Sequence, residues 1–142
     1  MESALLGVVL DSSVSIAAER RKLTPVEAVE SVQRAVGEVP IALCALTVAE
    51  IGHGIYRAKT QELRNRRRAF LDELKATVPI YAITDATAEI IARIAGGQAA
   101  RGINLPLGDL IIAATAVELG YAVATGNLRD FKRIASLRVV QL

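Results

Sequence analysis

The sequence is poor in the residues that build covalent scaffolds and nitrogen- or sulfur-bound metal sites. Its 142 residues include one Cys, one His and no Trp, and aromatic residues make up only 4%. This excludes a disulfide within the chain and a zinc site of several Cys and His ligands. The scarcity of rings argues against a protein that stacks single-stranded bases on an aromatic platform. Any bound metal would therefore take oxygen ligands, which Mg²⁺, Mn²⁺ and Ca²⁺ prefer.

Neither charge nor hydropathy by itself assigns a partner to the chain. Lys and Arg total 17 against 15 Asp and Glu, and a net charge of +2 is too small to indicate a nucleic-acid binder. The apolar fraction of 52% excludes a disordered polar chain. The longest apolar region, residues 105–119, carries two acids and is too short to span a bilayer. With no recognisable secretory signal, we expect a single cytoplasmic domain over residues 1–142.

Strands and helices are expected to alternate along the chain. Apolar runs without alternation are typical of strands buried on both faces, as in a parallel sheet. Helix caps, such as Thr24 before Pro25 and Gly120 after Leu119, and apolar residues at helical spacing separate these runs. The predicted strands are residues 5–10, 41–44, 78–83, 121–124 and 137–140, and the predicted helices are residues 25–36, 46–55, 64–76, 85–100 and 106–119. This order predicts an α/β domain with a mostly parallel central sheet of about five strands and helices on both faces.

Four acidic residues lie close to the expected carboxyl edge of this sheet, where ligands bind in open parallel sheets. Asp11 follows the first predicted strand directly, and Glu50 lies in the first turns after the second. Asp109 is the lone charge in the first turns of an apolar helix. Asp130 comes shortly after the fourth strand. The topology therefore predicts that these carboxylates come together, although they are far apart in the sequence.

Each of these acids also has a local structural explanation. Asp11 is suited to capping the turn that follows it, and Asp109 to the positive end of a helix dipole. Asp130 fits an ordinary turn or short helix. Glu50 has the spacing of a capping box with Thr47 as the cap. These explanations stay open, because none of the four residues alone specifies a functional site.

Taken as a group, the four acids predict a divalent cation. Carboxylates crowded together repel one another and lose hydration, and a bound cation offsets both costs. Such a site activates water and stabilises charge on a phosphodiester. Nearby polar side chains would orient metal-bound water or would merely cap turns. They are Ser13, Thr125 and Asn127.

Two basic groups of residues accompany the acids in the sequence. One runs from Arg57 to Arg68, and the other surrounds Asp130. Such groups are either solvated helix faces or contacts to nucleic-acid phosphates, which are independent of base sequence. The candidate phosphate-binding residues are Arg64, Arg66, Arg67, Arg129 and Lys132.

Four sequence blocks resemble the PIN-domain nucleases, and most closely the VapC-type toxins of bacterial toxin–antitoxin pairs. They are VVLDSSV, LTVAEIGHGI, LPLGDLIIAATAVELGYAVAT and TGNLRDFKRI, which occur in the family's order and span essentially the whole chain. The resemblance implies an acidic centre of Asp11, Glu50 and Asp109 with a fourth residue in the last block. Asn127 stands at the usual acidic position there, so Asp130 is the favoured fourth acid.

The resemblance further implies an endoribonuclease that uses Mg²⁺ or Mn²⁺ and is a homodimer neutralised by an antitoxin. Attack by a metal-activated water would leave a 5′-phosphate on the product. A different interpretation is a catalytically degenerate PIN-like module that binds RNA or protein, but such a module would be expected to lack one of the acids. A small-molecule phosphohydrolase is disfavoured, because the sequence has no phosphate-binding glycine loop and no second Asp two residues after Asp11.

Overall fold

A five-stranded parallel sheet forms the centre of the fold in the computed structural model, which describes residues 4–142. The strand order is β3-β2-β1-β4-β5, and all four neighbouring pairs run parallel. This confirms the predicted fold class. The strands are β1 Val8–Leu10, β2 Ile41–Cys44, β3 Ile80–Tyr81, β4 Ala122–Thr125 and β5 Val139–Gln141.

Seven helices connect the strands within the described part of the chain. The five predicted helices are present, with ends that differ by up to three residues. None of the helices in residues 4–142 combines the length and apolar character needed to cross a bilayer. The helices are α1 Ser12–Arg20, α2 Pro25–Val36, α3 Ala45–Arg57, α4 Gln61–Thr77, α5 Asp85–Ala99, α6 Leu107–Leu119 and α7 Leu128–Phe131.

The helices cover both faces of the sheet, as predicted from strands that are apolar throughout rather than alternately apolar and polar. Successive residues of a strand point to opposite faces, so both faces of a central strand are apolar when both are covered. Val9 packs into the cluster that includes Ile112 of α6. Its neighbour Val8 packs into the opposite cluster with Val32 of α2. Both strand residues are fully buried, and the sheet therefore forms a dry middle layer.

Several predicted strands were placed too early or were too long. The first begins at Val8 rather than residue 5, and the third covers only Ile80–Tyr81 at the edge of the sheet. A Cβ atom at Gly7 would lie 2.6 Å from the ring of Tyr121, so only glycine fits at the entry to β1. The amide of Tyr121 donates to Ala116 O at the end of α6, which delays the start of β4 to residue 122.

Helix α1 was absent from the sequence-based prediction, and α7 was anticipated only as the short-helix alternative to a turn at Asp130. The first turn of α1 contains Ser12, Ser13 and Ser15, a residue type that often competes with helix formation. Asp11 is its N-cap and accepts from the amide of Ser12. The helix α7 is a single turn, which is too short to show an apolar period. Both helices start at the carboxyl edge of the sheet and so contribute to the site described next.

The cap predictions are confirmed at Thr24 and wrong at Thr47. Thr24 forms a capping box with Glu27 at the start of α2. Helix α3 begins at Ala45 with Cys44 as its N-cap, and Thr47 lies inside the helix. Its hydroxyl is buried without a hydrogen-bond partner in the described structure. The capping-box explanation for Glu50 is therefore removed.

Candidate active site

The strand order brings the four candidate acids to one edge of the sheet. Because β1 lies between β2 and β4, the chain segments that leave these three strands are neighbours. The segment after β1 carries Asp11, the segment after β2 carries Glu50, and the segment after β4 carries Asp130. Helix α6 packs against β1 and β2, and Asp109 lies in its first turn. Sheet topology, rather than proximity in the sequence, therefore assembles the site.

Asp11 is held by three hydrogen bonds and is only 8% exposed. Its Oδ1 accepts from the amide of Ser12 at 2.8 Å. Its Oδ2 accepts from the hydroxyls of Ser13 and Thr125, each at 2.9 Å. Asp11 therefore caps α1 and also has a carboxyl orientation set by β4, which lies 114 residues away in the sequence.

The two hydroxyls that hold Asp11 are themselves positioned by the backbone that follows β4. The amide of Gly126 donates to Ser13 Oγ at 2.9 Å, and the amide of Asn127 donates to Thr125 Oγ1 at 2.9 Å. Thr125 is fully buried. Asn127 contributes its main chain to this network, and its side chain makes no capping bond to α7. Ser13 and Thr125 thus contact the carboxylate of Asp11 directly.

Asp109 is only partly exposed and faces other carboxylates. Its pKa is raised to about 6, mainly because burial removes hydration from the charged form, and next because of the negative charges of Asp11 and Asp130. A hydrogen bond with Asp130 and the charge of Glu50 add to the same shift. The charges of the other three candidate acids therefore all act on Asp109, and Asp130 of the last block is among them.

Glu50 lies at the open side of the site on α3. The residue as a whole is exposed, yet partial desolvation of its carboxyl group and then the charge of Asp11 raise its pKa. A hydrogen bond from the Ser12 side chain opposes this rise. Ser12 thus links the segments that carry Asp11 and Glu50. Nothing in the sequence pattern singled out Ser12, although a hydroxyl directly after an acid at a strand end is a usable signal.

Comparison with known protein families gives a direct assignment. The PIN domain family profile matches residues 8–137, which include all four acids. The chain belongs to the PIN domain family. It is 31% identical over 135 residues to a protein named ribonuclease VapC from Rickettsia bellii, covering 95% of this chain and 96% of the relative.

Solved structures share the fold of this PIN domain over nearly its full length. One is the VapBC-5 toxin–antitoxin structure from Mycobacterium tuberculosis, with a TM-score of 0.75 and 26% identity; it covers 96% of this chain and 99% of that one. Another is VapBC2 from Rickettsia felis bound to a promoter DNA fragment, with a TM-score of 0.81 and 18% identity. That likeness covers 96% of this chain and 98% of the other, and it concerns the fold alone.

The donor chemistry of this PIN domain fits a hydrated Mg²⁺ or Mn²⁺ ion. All four acids offer oxygen, and the pKa of Asp109 is raised first by burial and then by the negative charges of the other three acids. Within residues 4–142, no three acidic, His or Cys side chains are arranged to ligate one ion together. Mg²⁺ commonly uses only one or two carboxylates and keeps several waters. The arrangement therefore fits an ion held partly through water.

The predicted phosphate-binding residues divide into two groups. Arg67 donates to Gly54 O at 2.8 Å and to Glu19 at 3.0 Å, while Arg64 donates to Ala58 O at 3.2 Å. Both guanidinium groups therefore serve the end of α3, where cations are favourable. The other predicted residues present exposed side chains. They are Arg66, Arg129 and Lys132.

Proposed function

We propose that this PIN domain is a metal-dependent endoribonuclease that hydrolyses RNA phosphodiester bonds. The observation that carries the proposal is the convergence of four carboxylates at the carboxyl edge of the sheet, where the pKa of Asp109 rises to about 6. An uncompensated acidic cluster at a ligand-binding edge is typical of a cation site. The similarity to a relative named ribonuclease VapC supports RNA as the substrate.

The surroundings of each acid suggest its role in the proposed reaction. Asp11, Asp109 and Asp130 would hold Mg²⁺ or Mn²⁺, directly or through water. When bound, the ion would lower the pKa of water and stabilise charge on the phosphodiester. Glu50, at the open side, holds or activates the attacking water, and a raised pKa suits a group that must accept a proton near neutral pH. The hydroxyls of Ser13 and Thr125 keep Asp11 oriented.

The proposed reaction has a defined product. Water attacks phosphorus, and the bond to the 3′ oxygen breaks. The fragments then carry a 5′-phosphate and a 3′-hydroxyl. A cyclic phosphate would require attack by the RNA's own 2′-hydroxyl and would contradict this mechanism. End-labelling of the products before and after phosphatase treatment distinguishes the two chemistries.

We also propose that the protein is the toxin of a cytoplasmic toxin–antitoxin pair and that it forms a homodimer. The support is its similarity to proteins named VapC and to structures of VapBC assemblies. Expression of the chain alone should arrest growth, and co-expression of the neighbouring open reading frame should relieve the arrest. Light scattering of the purified chain should give twice the mass of 15.1 kDa. Growth that is unaffected by an active nuclease would contradict the toxin assignment.

Cleavage of total RNA tests the central proposal. Purified protein is incubated with Mg²⁺, Mn²⁺ or EDTA beside the variants Asp11→Asn and Asp72→Asn. The second variant is a matched control, because Asp72 is an exposed acid on α4 that pairs with Arg68 away from the site. We expect discrete fragments that require metal, vanish in Asp11→Asn and persist in Asp72→Asn. Folded wild-type protein that cuts no RNA with either metal would refute the proposal.

The exposed basic residues are proposed to hold the RNA backbone. Arg66, Arg129 and Lys132 are each expected to weaken binding of all sequences equally when replaced by Ala. Each replacement should also reduce the salt dependence of binding, since one fewer counterion is released. An altered sequence preference in these variants would instead indicate contacts to bases.

A further inference from the structure

A small cleft opens beside the acidic site, between α1 and α3. Its volume is about 260 Å³, below the usual range of roughly 300–1,000 Å³ for pockets that hold drug-sized ligands. It is continuous with the proposed active site, because Glu50 lines it. A nucleotide adjacent to the cleaved bond would therefore lie within its reach. The lining residues are Ser12, Ser15, Ile16, Glu50, Ile51 and His53.

The lining favours a neutral base over a phosphate. It contains a carboxylate and neither Lys nor Arg, so an anion placed there would be repelled without compensation. Ile16 and Ile51 offer apolar surface, and Ile16 is 51% exposed despite its size. The hydroxyls of two serines can donate and accept at the polar edge of a base. A flat group with one polar edge matches this combination.

His53 supplies the ring in the cleft. It is the one His of the chain, it is exposed, and it lies three residues after Glu50, or about 4.5 Å further along the axis of α3. RNA-binding proteins commonly stack unpaired bases on His and other rings. The ring is thus placed one helical turn from the acidic site, beside the apolar surface of Ile51.

We propose that this cleft is a base-binding subsite, in which His53 stacks on the base of a nucleotide next to the cleaved phosphodiester. The proposal rests on the proposed ribonuclease function. It predicts that His53 influences which nucleotide is preferred beside the cut and leaves the hydrolytic chemistry to the four acids. His53 is therefore a specificity-determining residue.

Nuclear magnetic resonance provides a direct test, because one His in 142 residues gives one set of imidazole signals. Protein without a histidine tag is titrated in EDTA with each of the four nucleoside 5′-monophosphates. Ribose 5-phosphate is the matched control, since it lacks only the base. We expect at least one nucleotide to shift the ring signals of His53 substantially more than ribose 5-phosphate does.

Cleavage of a random-sequence RNA pool provides the second test. Sequencing of the fragments should show a nucleotide preference at one position beside the cut, which His53→Gln reduces about five- to tenfold, as expected from the loss of one stacked base. His53→Phe keeps a ring and should retain much of the preference. Tyr56→Ala is the control, because Tyr56 is an exposed ring on α3 that does not line the cleft.

The outcomes separate this subsite from the proposed function. RNA cleavage with the same preference in His53→Gln and wild type, with ring signals that respond equally to ribose 5-phosphate, would overturn the subsite and leave the nuclease intact. Ring shifts specific to bases in a protein that cuts no RNA would support the subsite and refute the nuclease. Absence of both cleavage and base-specific shifts would overturn both.

Discussion

Asp11 and Asp109 occupy the same edge of the sheet, but their carboxyl groups have opposite surroundings. Asp11 accepts an amide and two hydroxyl hydrogen bonds, and the donors are fixed by further bonds from the backbone after β4. Asp109 faces three carboxylates, and Asp130 is the hydrogen-bond partner that contributes to its raised pKa. The carboxylate of Asp11 is therefore hydrogen-bonded at both oxygens within the fold, whereas Asp109 remains close to other negative charges.

The difference indicates how the proposed cation site can be stable without an ion. The network around Asp11 orients one ligand rigidly, as outer hydrogen bonds do for metal ligands in general. The crowding around Asp109 costs stability in the free protein and would be relieved by a positive charge. Perturbed titration of this kind is characteristic of functional sites. Substitutions can therefore perturb the surroundings of Asp11 and of Asp109, the two halves of the site, separately.

Replacing either acid should nearly abolish activity, but the two replacements should change stability by different amounts. Asp11→Asn and Asp109→Asn should each reduce the rate of RNA cleavage at least about a hundredfold, since each removes a charged ligand from a site that supplies several kcal/mol. In EDTA at pH 7, Asp109→Asn should be more stable than wild type, because it removes like-charge repulsion. Asp11→Asn should gain less stability, because it disturbs the hydrogen bonds from the hydroxyls of Ser13 and Thr125. Urea unfolding measures both, and equal stability gains in the two variants would refute the distinction.

The Asp11 half should be sensitive to the loss of one buried hydroxyl. Thr125→Val removes a donor to Asp11 and leaves the amide of Asn127 without its partner. We expect a loss of about 1–3 kcal/mol in the free energy of unfolding and about a 10–100-fold loss of activity. Thr125→Ser, which retains the hydroxyl, is the control. Activity at the wild-type level in Thr125→Val would show that this bond does not orient Asp11.

The Asp109 half should make the metal-free protein less stable as pH rises. The folded pKa of about 6 lies above the ordinary value of 3.8, so the unfolded chain releases this proton first. The stabilising contribution of protonated Asp109 is complete below about pH 4 and is lost as pH rises through about 6, by about 1–3 kcal/mol. The raised pKa of Glu50 also makes the folded protein less stable as pH rises.

The measurement is urea unfolding of wild type and Asp109→Asn in EDTA from pH 3.5 to 7.5. The stability advantage of Asp109→Asn should grow between about pH 4 and 6 and level off above. A difference that does not change with pH would contradict the crowded environment of Asp109.

Metal addition should stabilise the wild type and reduce that pH dependence. At a tenfold excess over the dissociation constant, Mg²⁺ should add about 1.4 kcal/mol to the free energy of unfolding. Asp109→Asn should gain less, and Asp72→Asn should gain as much as wild type. Thermal unfolding with Mg²⁺ and with EDTA provides the comparison. An equal gain in Asp109→Asn would place the ion elsewhere.

The smallest effect is expected at a buried hydroxyl outside the site. Thr47 is 1% exposed, and its hydroxyl has no partner in the described structure. Thr47→Val should therefore be neutral or stabilising by up to about 1 kcal/mol, because no hydrogen bond is lost and apolar surface is gained. Urea unfolding beside Thr125→Val makes a matched pair of the same chemical change. A large loss in Thr47→Val would reveal a hydrogen bond to water that the hydroxyl requires.

Much of the fold was predictable because it depends on short-range patterns. Unalternated apolar runs placed β2 correctly and predicted a sheet buried on both faces. The capping box of Thr24 predicted the start of α2, and Gly120 the end of α6. The start of β1 was not predictable, because it depends on the close approach of Gly7 to Tyr121.

Helix α1 and several side-chain roles escaped prediction for the same reason. The serines of α1 disfavour a helix locally, yet Asp11 caps it and Ala18 is buried in the fold. Arg64 and Arg67 were predicted as phosphate contacts, which stays a prediction, but in the structure they bind carbonyls at the end of α3. Charge patterns in a sequence do not reveal which helix end a basic side chain can reach in the folded protein.

The sequence by itself determined the alternation of strands and helices, excluded a metal site of several Cys and His ligands, and singled out the four candidate acids. These follow from composition and from patterns within one or two helical turns. Only the tertiary structure decided that Thr125 holds Asp11, that Asp130 faces Asp109, and that a cleft with His53 opens beside Glu50. Those contacts depend on strand order and helix packing, which bring together residues that are far apart in the sequence. No local sequence pattern indicates that such residues are in contact.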